Sequence, residues 1–364
     1  MPLTRASRRR SDRPWLTHGW HQCVSNTLCT DYYSSEPDGP GGRARSRGRT
    51  VDAVVTDRVT IATRVVQITV VRTDGGELGT WQPGAHVDVH VPGGYVRQYS
   101  LCGDPDDRSR WKIAVLRVEG GRGGSCAVHD SLVPGARVEL GGPRNNFPLV
   151  DAPRYVFVAG GIGITPILPM VELVERRQRP WRLLYLARDR AAMAFRERIG
   201  ATGAAATLWC DAELGICDVA SWLSLPEVGA SRNGAAVYCC GPEPLLGTVE
   251  QLARAWPARA LHLERFSSTA VGAGADRPLE VELRRSGLTV EVPAGCSILE
   301  AVERAGIFVL SSCREGTCGT CETDVLDGLP EHRDTVLDRD AREAGDIMMI
   351  CVSRSLSPRL VLDL

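Results

Sequence analysis

Residues 51–150 carry short runs in which apolar and polar positions alternate. The runs ATRVVQITVV, HVDVHV, RQYSLC and WKIAVLRV have the period of two and the β-branched content of half-buried strands. Turns rich in glycine and proline, such as Gly75-Gly76, separate these runs. Several short strands at this spacing predict an antiparallel β-barrel or sandwich, of which we favour the barrel.

The pattern changes in residues 151–266, where short buried strands alternate with helices. The run YVFVAG predicts a buried strand, a glycine loop follows it, and PILPMVELVERR has the spacing of a helix. The further apolar runs RLLYLAR, ATLWC and AAVYCCG are separated by helical or loop material. This alternation predicts an α/β domain, in which a parallel sheet carries helices on both faces.

Residues 278–364 predict a third, α+β domain. A hairpin-like pair of strands, LEVELRRSGLTVEVP, precedes a helix, SILEAVERAG, and a cysteine-rich loop. Residues 267–277, SSTAVGAGADR, have the composition of a flexible linker that leads into this domain. Residues 1–50 are rich in Arg, Ser, Gly and Pro and have no apolar period, which predicts a disordered extension. A targeting or docking arm is the alternative.

Composition and charge narrow the class of protein. The chain has 364 residues, enough for two or three domains, and its net charge of -1 does not suggest a nucleic-acid or membrane partner. The apolar residues 155–174 include three glycines, two prolines and Glu172, which argues against a membrane span. The 13 cysteines are many, but no apolar signal segment follows Arg8-Arg9-Arg10. We therefore expect a cytoplasmic protein whose clustered cysteines bind metal.

Four cysteines near the C-terminus have the spacing of an iron–sulfur site. The pattern C-x4-C-x2-C followed by a distant cysteine is the plant-type [2Fe–2S] arrangement. Its members are Cys313, Cys318, Cys321 and Cys351. Gly316 and Gly319 leave the backbone free to bring N–H groups close to the sulfurs. The alternatives are a structural zinc site, which more often shows two short ligand pairs, or ordinary buried cysteines.

A glycine loop, GGIGITP, follows the first strand of the α/β domain and opens its helix. Glycines allow the backbone to approach a pyrophosphate, whose charge the helix N-terminus stabilises. The candidate residues for this nucleotide site are Gly161, Gly163, Thr165 and Pro166. Taken alone, such a loop is weak evidence, because a tight turn kept for packing has the same appearance.

Two later strand ends strengthen the prediction of a nucleotide site. Cys240-Gly241-Pro242 ends the strand AAVYCC, at the edge of a parallel sheet where ligands bind, and its thiol could pack against a nicotinamide. Arg188 and Asp189 end the second strand, where they could meet a ribose. Both could equally be solvated charges in a turn.

Two motifs of the barrel region predict a flavin site. In Arg97-Gln98-Tyr99-Ser100, alternation puts Arg97 and Tyr99 on one side of the strand. The Arg97 guanidinium can form paired hydrogen bonds with a phosphate, and the Tyr99 ring can pack against the ring system of a flavin. The glycine-rich loop GRGGS adds exposed N–H groups and a hydroxyl that suit the same phosphate. Its candidate residues are Gly123, Gly124 and Ser125. Each motif alone could be an ordinary surface strand or loop.

With these motifs in order, the chain resembles the phthalate dioxygenase reductase family, which includes the reductase subunits of vanillate O-demethylase. The resemblance covers residues 51–364 and rests on RQYSLC, GRGGS, PRNNFPL, GGIGITP, YCCGP, HLERF and SCREGTCGTC. It implies an FMN-binding barrel, an NAD-binding α/β domain and a β-grasp ferredoxin domain. It also implies NADH as electron donor and a Rieske-type non-haem iron oxygenase as electron acceptor.

The resemblance implies roles for residues of the flavin site. Arg97, with Gly124 and Ser125, would hold the FMN phosphate. Tyr99 would pack on the isoalloxazine ring, and Ser100 would form a hydrogen bond near N5. The chain departs from the family pattern in its N-terminal extension and at residue 103, where glycine stands in place of the expected asparagine.

The resemblance also implies roles in the nicotinamide site. Thr165 and Cys240 would line it and, with Ser100, form the catalytic set. Phe266, in HLERF, would cover one flavin face until nicotinamide displaces it; the alternative is an ordinary aromatic at a domain hinge.

The function predicted from sequence is hydride transfer from NADH to FMN, followed by single-electron transfer through [2Fe–2S] to the oxygenase. The seven histidines show no motif of general acid–base or metal catalysis, which agrees with chemistry carried by cofactors. Two alternatives remain open. One is a different acceptor, such as a P450, and the other is a ferredoxin-type carrier whose front half is degenerate.

Overall fold

The computed structural model describes residues 50–230, 234–257, 259–266, 276–337 and 339–364, and all of these belong to one compact unit. The predicted disordered extension, apart from Thr50, lies outside the described residues. The predicted linker lies outside them except for Asp276 and Arg277.

The first part of the described chain is an antiparallel barrel, as predicted. Its elements are β1 (Thr50–Ala62), β2 (Val65–Arg72), β3 (His86–Val91), β4 (Tyr95–Ser100), β5 (Trp111–Leu116), α1 (Gly124–Ser131) and β6 (Arg137–Arg144). The strand order is β4-β3-β6-β1-β2-β5, and a bridge between Leu101 and Ile113 joins its two edges. The alternating pattern explains the interior, because Val87, Val89 and Val91 all point from β3 into one apolar core.

The second part is a five-stranded parallel sheet flanked by helices. Its elements are β7 (Arg154–Gly160), α2 (Ile164–Arg176), β8 (Trp181–Ala187), α3 (Arg196–Gly200), β9 (Ala206–Cys210), α4 (Asp211–Leu214), α5 (Val219–Ser224), β10 (Ala235–Cys240), α6 (Glu243–Ala253) and β11 (Leu261–Glu264). The order is β11-β10-β7-β8-β9. Tyr155 and Phe157 of β7 pack into one apolar cluster, while Val156 and Val158 pack into another. Both faces of the sheet are therefore buried, which explains the continuous apolar runs.

The third part is a five-stranded mixed sheet with one main helix. Its elements are β12 (Leu279–Leu283), β13 (Leu288–Val292), α7 (Ile298–Arg304), β14 (Glu322–Asp327), β15 (Pro330–Glu331), α8 (Arg339–Ala344), β16 (Ile347–Met349), β17 (Arg354–Ser355) and β18 (Arg359–Leu362). The order is β13-β12-β18-β14-β16, and β12 and β18 are parallel. Helix α7 begins with a capping box, in which Ser297 Oγ accepts from the Glu300 N–H at 3.1 Å and Glu300 Oε2 accepts from the Ser297 N–H at 3.2 Å.

None of the helices in the described residues combines the length and the apolar character that crossing a membrane requires.

Candidate functional site

The four predicted ligand cysteines come together in the third part of the fold. Three lie in the loop between α7 and β14, and Cys351 follows β16. The Cys313 thiol is in hydrogen-bonding contact with the thiols of Cys318 and Cys351, and Cys321 contacts Cys351. All four are buried, with 2 to 6% of each residue exposed. Four sulfurs gathered in this way can act as a joint ligand set.

Backbone N–H groups of the loop point at the sulfurs. The N–H groups of Glu315 and Thr317 donate to Cys313 Sγ at 3.3 and 3.4 Å. The contacts from the thiols of Cys318 and Cys351 hold the pKa of Cys313 well below its usual range. Gly316 supports this geometry with a φ of +67°, and a Cβ there would lie 2.5 Å from Val352 Cγ2. The same thiol contacts raise the pKa values of Cys318 and Cys351. It is the backbone N–H groups that would stabilise a thiolate ligand at Cys313, as a [2Fe–2S] cluster requires.

The predicted phosphate residues of the barrel also come together. The Arg97 side chain lies flat on Gly124 at the N-terminus of α1, so that a Cβ at Gly124 would lie 2.7 Å from Arg97 Cγ. Arg97 donates to the carbonyl oxygens of Val96 at 2.8 Å and Arg122 at 3.2 Å. Among the described residues it forms no ion pair, so its charge is available to a phosphate.

The other two residues of the phosphate loop have supporting contacts. Gly123 has a φ of +77°, which places its backbone beside the Tyr95 ring. Ser125 Oγ accepts a hydrogen bond from the Val118 N–H at 3.1 Å, which leaves the hydroxyl proton free to be donated. This set of residues fits a flavin phosphate.

A cleft beside β3 and β4 holds two buried polar atoms without partners. His86 and Ser100 face each other across these strands, and each is 5% exposed. Their Nε2 and Oγ atoms find no hydrogen-bond partner in the described part of the chain. Burial lowers the pKa of His86 to about 4, which keeps its ring neutral. Orphaned polar atoms in a cleft indicate a place for a polar ligand edge.

The opposite walls of this cleft come from the other two parts of the fold. Glu264 and Phe266, at the end of β11, close one side, and Cys313 closes the other. Phe266 is 45% exposed, so a ring bound in the cleft could reach its side chain. Tyr99 packs against the barrel core, where burial raises its pKa, so its phenol stays neutral. Arg97 and Ser100 of the predicted flavin set and the predicted cluster ligand Cys313 therefore share one cleft.

The glycine loop and the Cys-Gly-Pro turn meet at the carboxyl edge of the parallel sheet. Strands β7 and β10 are neighbours, so the segments that follow them lie side by side. A Cβ at Gly163 would lie 2.5 Å from the Cys240 carbonyl carbon, and a Cβ at Gly160 would lie 2.6 Å from Pro242 Cδ. Gly241 is equally close, since its Cβ would lie 3.0 Å from Gly160 Cα. Only glycines permit this backbone approach.

The remaining residues of the glycine loop lie around this junction. Gly161 has a φ of +55° with open space at its Cβ position. Thr165 is 2% exposed and donates from Oγ1 to the Ile162 carbonyl at 3.0 Å, and Pro166 is buried in the first turn of α2. The helix begins at Ile164, two residues before the predicted apolar run.

The two charged residues predicted after β8 have local structural contacts. Asp189 caps a short 3₁₀ turn (Arg190–Ala192) by accepting from the Ala192 N–H at 2.8 Å. Arg188 is exposed, and its carbonyl accepts from the Ala212 N–H at 2.9 Å. The position at the sheet edge suits a ribose, but one carboxylate oxygen of Asp189 already accepts a hydrogen bond from its own turn.

Sequence reasoning missed Glu264, which the structure places beside the predicted nicotinamide thiol. Cys240 Sγ lies 4.0 Å from Glu264 Oε2. Burial raises the pKa of the Glu264 carboxyl to about 8, and burial followed by the nearby Glu264 raises that of Cys240. Cys240 is therefore a neutral thiol. The available signal was the position of Glu264 in HLERF, at a strand end two residues before Phe266.

The raised pKa of Glu264 gives a pH-dependent prediction. Burial moves this pKa from 4.5 to about 8, so the folded chain keeps a proton that the unfolded chain releases. The corresponding stability is fully present below the unfolded pKa and is lost as the pH rises to about 8. Between pH 5 and 8, Glu264 should make the free energy of unfolding of the wild type fall by up to about 1 kcal/mol per pH unit. We expect Glu264→Gln to abolish this fall, as measured by thermal unfolding across that pH range. The exposed Glu227→Gln is the control, and equal slopes for wild type and Glu264→Gln would refute the assignment.

Comparison with known proteins finds a 2Fe-2S domain and relatives named as reductases or oxidoreductases. The family profile of the 2Fe-2S iron-sulfur cluster binding domain matches residues 281–356. The chain is 42% identical over 293 residues to phthalate dioxygenase reductase from Burkholderia cepacia, covering 80% of this chain and 90% of that protein. It is 38% identical over 321 residues to vanillate O-demethylase oxidoreductase from Pseudomonas putida, covering 86% of this chain and all (100%) of that protein.

Two solved structures are also similar. The structure described as "Phthalate dioxygenase reductase: a modular structure for electron transfer from pyridine nucleotides to [2Fe-2S]" matches with a TM-score of 0.64 and 38% identity, over 86% of this chain and 98% of that chain. An intact type IV self-sufficient cytochrome P450 monooxygenase matches with a TM-score of 0.80 and 40% identity, over 86% of this chain. The matched region is 41% of that longer chain.

The barrel, the parallel sheet and the ferredoxin-type domain define an electron-transfer oxidoreductase that carries a [2Fe–2S] domain. The chain belongs to the phthalate dioxygenase reductase family. The predicted fold class is confirmed, and so is the predicted enzyme class. The profile match favours [2Fe–2S] over the zinc alternative. The relatives' names, a dioxygenase reductase and a demethylase oxidoreductase, confirm the predicted function at the level of the family.

Proposed function

We propose that this chain is the NADH-dependent reductase component of an oxygenase system and that it delivers electrons, by way of FMN and [2Fe–2S], to a Rieske-type non-haem iron oxygenase. The observation that carries the proposal is the shared cleft, in which Ser100 of the barrel, Phe266 of the α/β domain and Cys313 of the cysteine loop line one space. When bound, FMN accepts a hydride and gives up electrons singly, and the cluster accepts them one at a time.

The proposal assigns each domain one task. Residues 51–150 bind FMN, residues 151–266 bind NADH, and residues 278–364 hold the cluster, with 267–277 as a linker. A cytoplasmic location belongs to the same proposal, because NADH and reduced thiols are both available there.

The flavin would be held by contacts of two kinds. Arg97 and the N–H groups of Gly123, Gly124 and Ser125 would bind its phosphate, because a guanidinium fork and a helix N-terminus both favour an anion. The ring would lie in the cleft where Ser100 offers an unpartnered hydroxyl. Tyr99 packs against the barrel core and does not line the cleft with Ser100, so contact between its ring and the isoalloxazine stays a prediction.

The nicotinamide would be oriented by the junction of the glycine loop and the Cys-Gly-Pro turn. Gly161, Gly163, Thr165 and Pro166 would support the pyrophosphate, and Cys240, Gly241 and Pro242 would line the ring, with Arg188 and Asp189 near a ribose. Because Cys240 is a neutral thiol, it would pack against the ring and not attack it. Phe266 would be displaced as the nicotinamide enters.

The electrons would leave through Cys313, Cys318, Cys321 and Cys351, the proposed ligands of the cluster. Positioning accounts for most of the protein's contribution, since the reacting groups are all cofactors. Electron transfer from flavin to cluster would explain why the cysteine loop packs against the barrel instead of lying fully exposed to solvent.

A P450 acceptor is the second candidate, because the chain is similar to 41% of the length of an intact type IV self-sufficient cytochrome P450 monooxygenase. A carrier with a degenerate front half has less support, since the phosphate residues and the nucleotide loop are both assembled. The two acceptors can be separated with a purified Rieske oxygenase and a purified P450, each mixed with the full chain and NADH under anaerobic conditions. We expect the Rieske centre to be reduced at the faster rate, and faster haem reduction would overturn the choice of partner.

A further inference from the structure

We propose that Arg144, Asp88, Gln98 and Ser312 form a clamp that positions the cysteine loop against the flavin cleft and so sets the rate of electron transfer from flavin to cluster. This inference rests on the proposed function and adds to it a set of positioning residues, of which Gln98 also lines the flavin cleft. We call these four residues the barrel clamp.

The barrel clamp is a continuous chain of short hydrogen bonds. Asp88 Oδ1 accepts from Arg144 Nη2 at 2.6 Å and from Gln98 Nε2 at 2.6 Å. The same Gln98 Nε2 donates to Ser312 Oγ at 2.8 Å. Ser312 directly precedes Cys313, so the chain of contacts runs from the barrel wall to a proposed cluster ligand.

Burial makes these contacts strong. Asp88 is 5% exposed, and its ion pair with Arg144 is largely removed from water. Burial acts to raise the pKa of Asp88, but the hydrogen bonds and charge of Arg144, with those from Gln98 and Ser312, lower it overall, so the carboxylate stays charged. Hydrogen bonds to a charged group are stronger than neutral ones, and losing one partner leaves a buried group unsatisfied.

The barrel clamp lies next to the proposed flavin edge. Asp88 and Gln98 form the cross-strand pair adjacent to His86 and Ser100, whose unpartnered atoms face the cleft. All four lie on the same face of β3 and β4, because residues two apart along a strand share a face. A shift of the barrel clamp would therefore change the position of Cys313 relative to Ser100.

Other contacts hold different points of the loop. Asn146 Nδ2 donates to the Cys318 carbonyl at 3.2 Å, and Arg122 pairs with Glu315. The Arg122 side chain is 56% exposed, so water weakens that pair. Of these attachments, the barrel clamp is the one that contains a buried ion pair, Arg144–Asp88, and its neutral Gln98–Ser312 bond acts on the residue beside Cys313.

The test uses Ser312→Ala in the full chain loaded with FMN and cluster, because Ser312 does not line the flavin cleft. Anaerobic stopped-flow absorbance would follow flavin reduction by NADH, and rapid-freeze EPR would follow cluster reduction. We expect flavin reduction to be unchanged and cluster reduction to slow by up to about tenfold, the factor that corresponds to the loss of one neutral hydrogen bond.

Two further variants separate positioning from general damage. Ser312→Thr keeps the hydroxyl and should restore the rate, while the EPR spectrum of the chemically reduced cluster should match wild type in every variant. His90→Asn, a change on the same face of β3 outside the barrel clamp, should leave both rates unchanged. Unchanged cluster reduction in Ser312→Ala, or equal slowing of flavin reduction, would overturn the clamp. A wild-type cluster that stays oxidised after NADH addition would overturn the proposed function itself, and the clamp with it.

Discussion

Replacing Cys313 by serine is expected to separate the two halves of the reaction. The variant should oxidise NADH with ferricyanide, an artificial acceptor that takes electrons from flavin, at the wild-type rate. Reduction of a ferredoxin-type or oxygenase acceptor should fall by at least about 100-fold, because loss of a direct ligand costs more than loss of an outer partner. The reason is local: Cys313 contacts two of the other three thiols and receives two backbone N–H groups.

Cys217→Ser is the matched control, since Cys217 is a partly buried thiol of the α/β domain, apart from the loop. Both activities should be unchanged in that variant. If ferricyanide and protein reduction collapse together in Cys313→Ser while flavin remains bound, the serial order of the cofactors is wrong.

Replacing Gly163 by alanine is expected to block the nicotinamide step. The new Cβ would lie 2.5 Å from the Cys240 carbonyl carbon, which is backbone and cannot swing aside. The glycine loop and the Cys-Gly-Pro turn would have to separate, at a cost of about 1–3 kcal/mol for overpacking. A displacement of about 1 Å of the groups that position the reactants can lower the rate on the order of 100-fold. We therefore expect stopped-flow reduction of flavin by NADH to slow by about that factor, with flavin and cluster spectra retained.

Gly247→Ala is the control for this variant. Gly247 lies within α6 of the same domain, and nothing lies within 4 Å of its Cβ position. Alanine there should raise helix stability by up to about 1 kcal/mol and leave NADH reduction unchanged. Wild-type reduction rates in Gly163→Ala would show that the backbone junction does not form the nicotinamide site.

Some features of this molecule could be predicted from sequence because they depend on local pattern. The spacing of the cysteines indicates three ligands in a single loop and a fourth at a later strand end. The alternation in HVDVHV indicates a strand with one apolar face. The Ser297–Glu300 capping box likewise acts within a few residues of where it stands.

Other features depend on contacts between distant segments. The pattern HVDVHV marks His86 and Asp88 as the polar face of a strand, and such a face normally meets water. In the folded chain the cysteine loop covers it, so both residues are buried and Gln98 bonds to a residue 214 positions away. The pKa of Glu264 has the same origin, since only the assembled strands and cleft remove its carboxyl from water. The alternation of apolar and polar residues along a strand does not reveal which polar face another domain will cover.

The most direct test of the central claim is an anaerobic NADH titration of the reconstituted full chain, with flavin, iron and sulfide measured in the same sample. We expect one FMN, two irons and two labile sulfides per chain. We also expect loss of the flavin absorbance on NADH addition, followed by the EPR signal of a reduced cluster. Protein that holds neither flavin nor labile sulfide after reconstitution would contradict it, and so would a bound flavin whose reduction by NADH leaves the cluster oxidised.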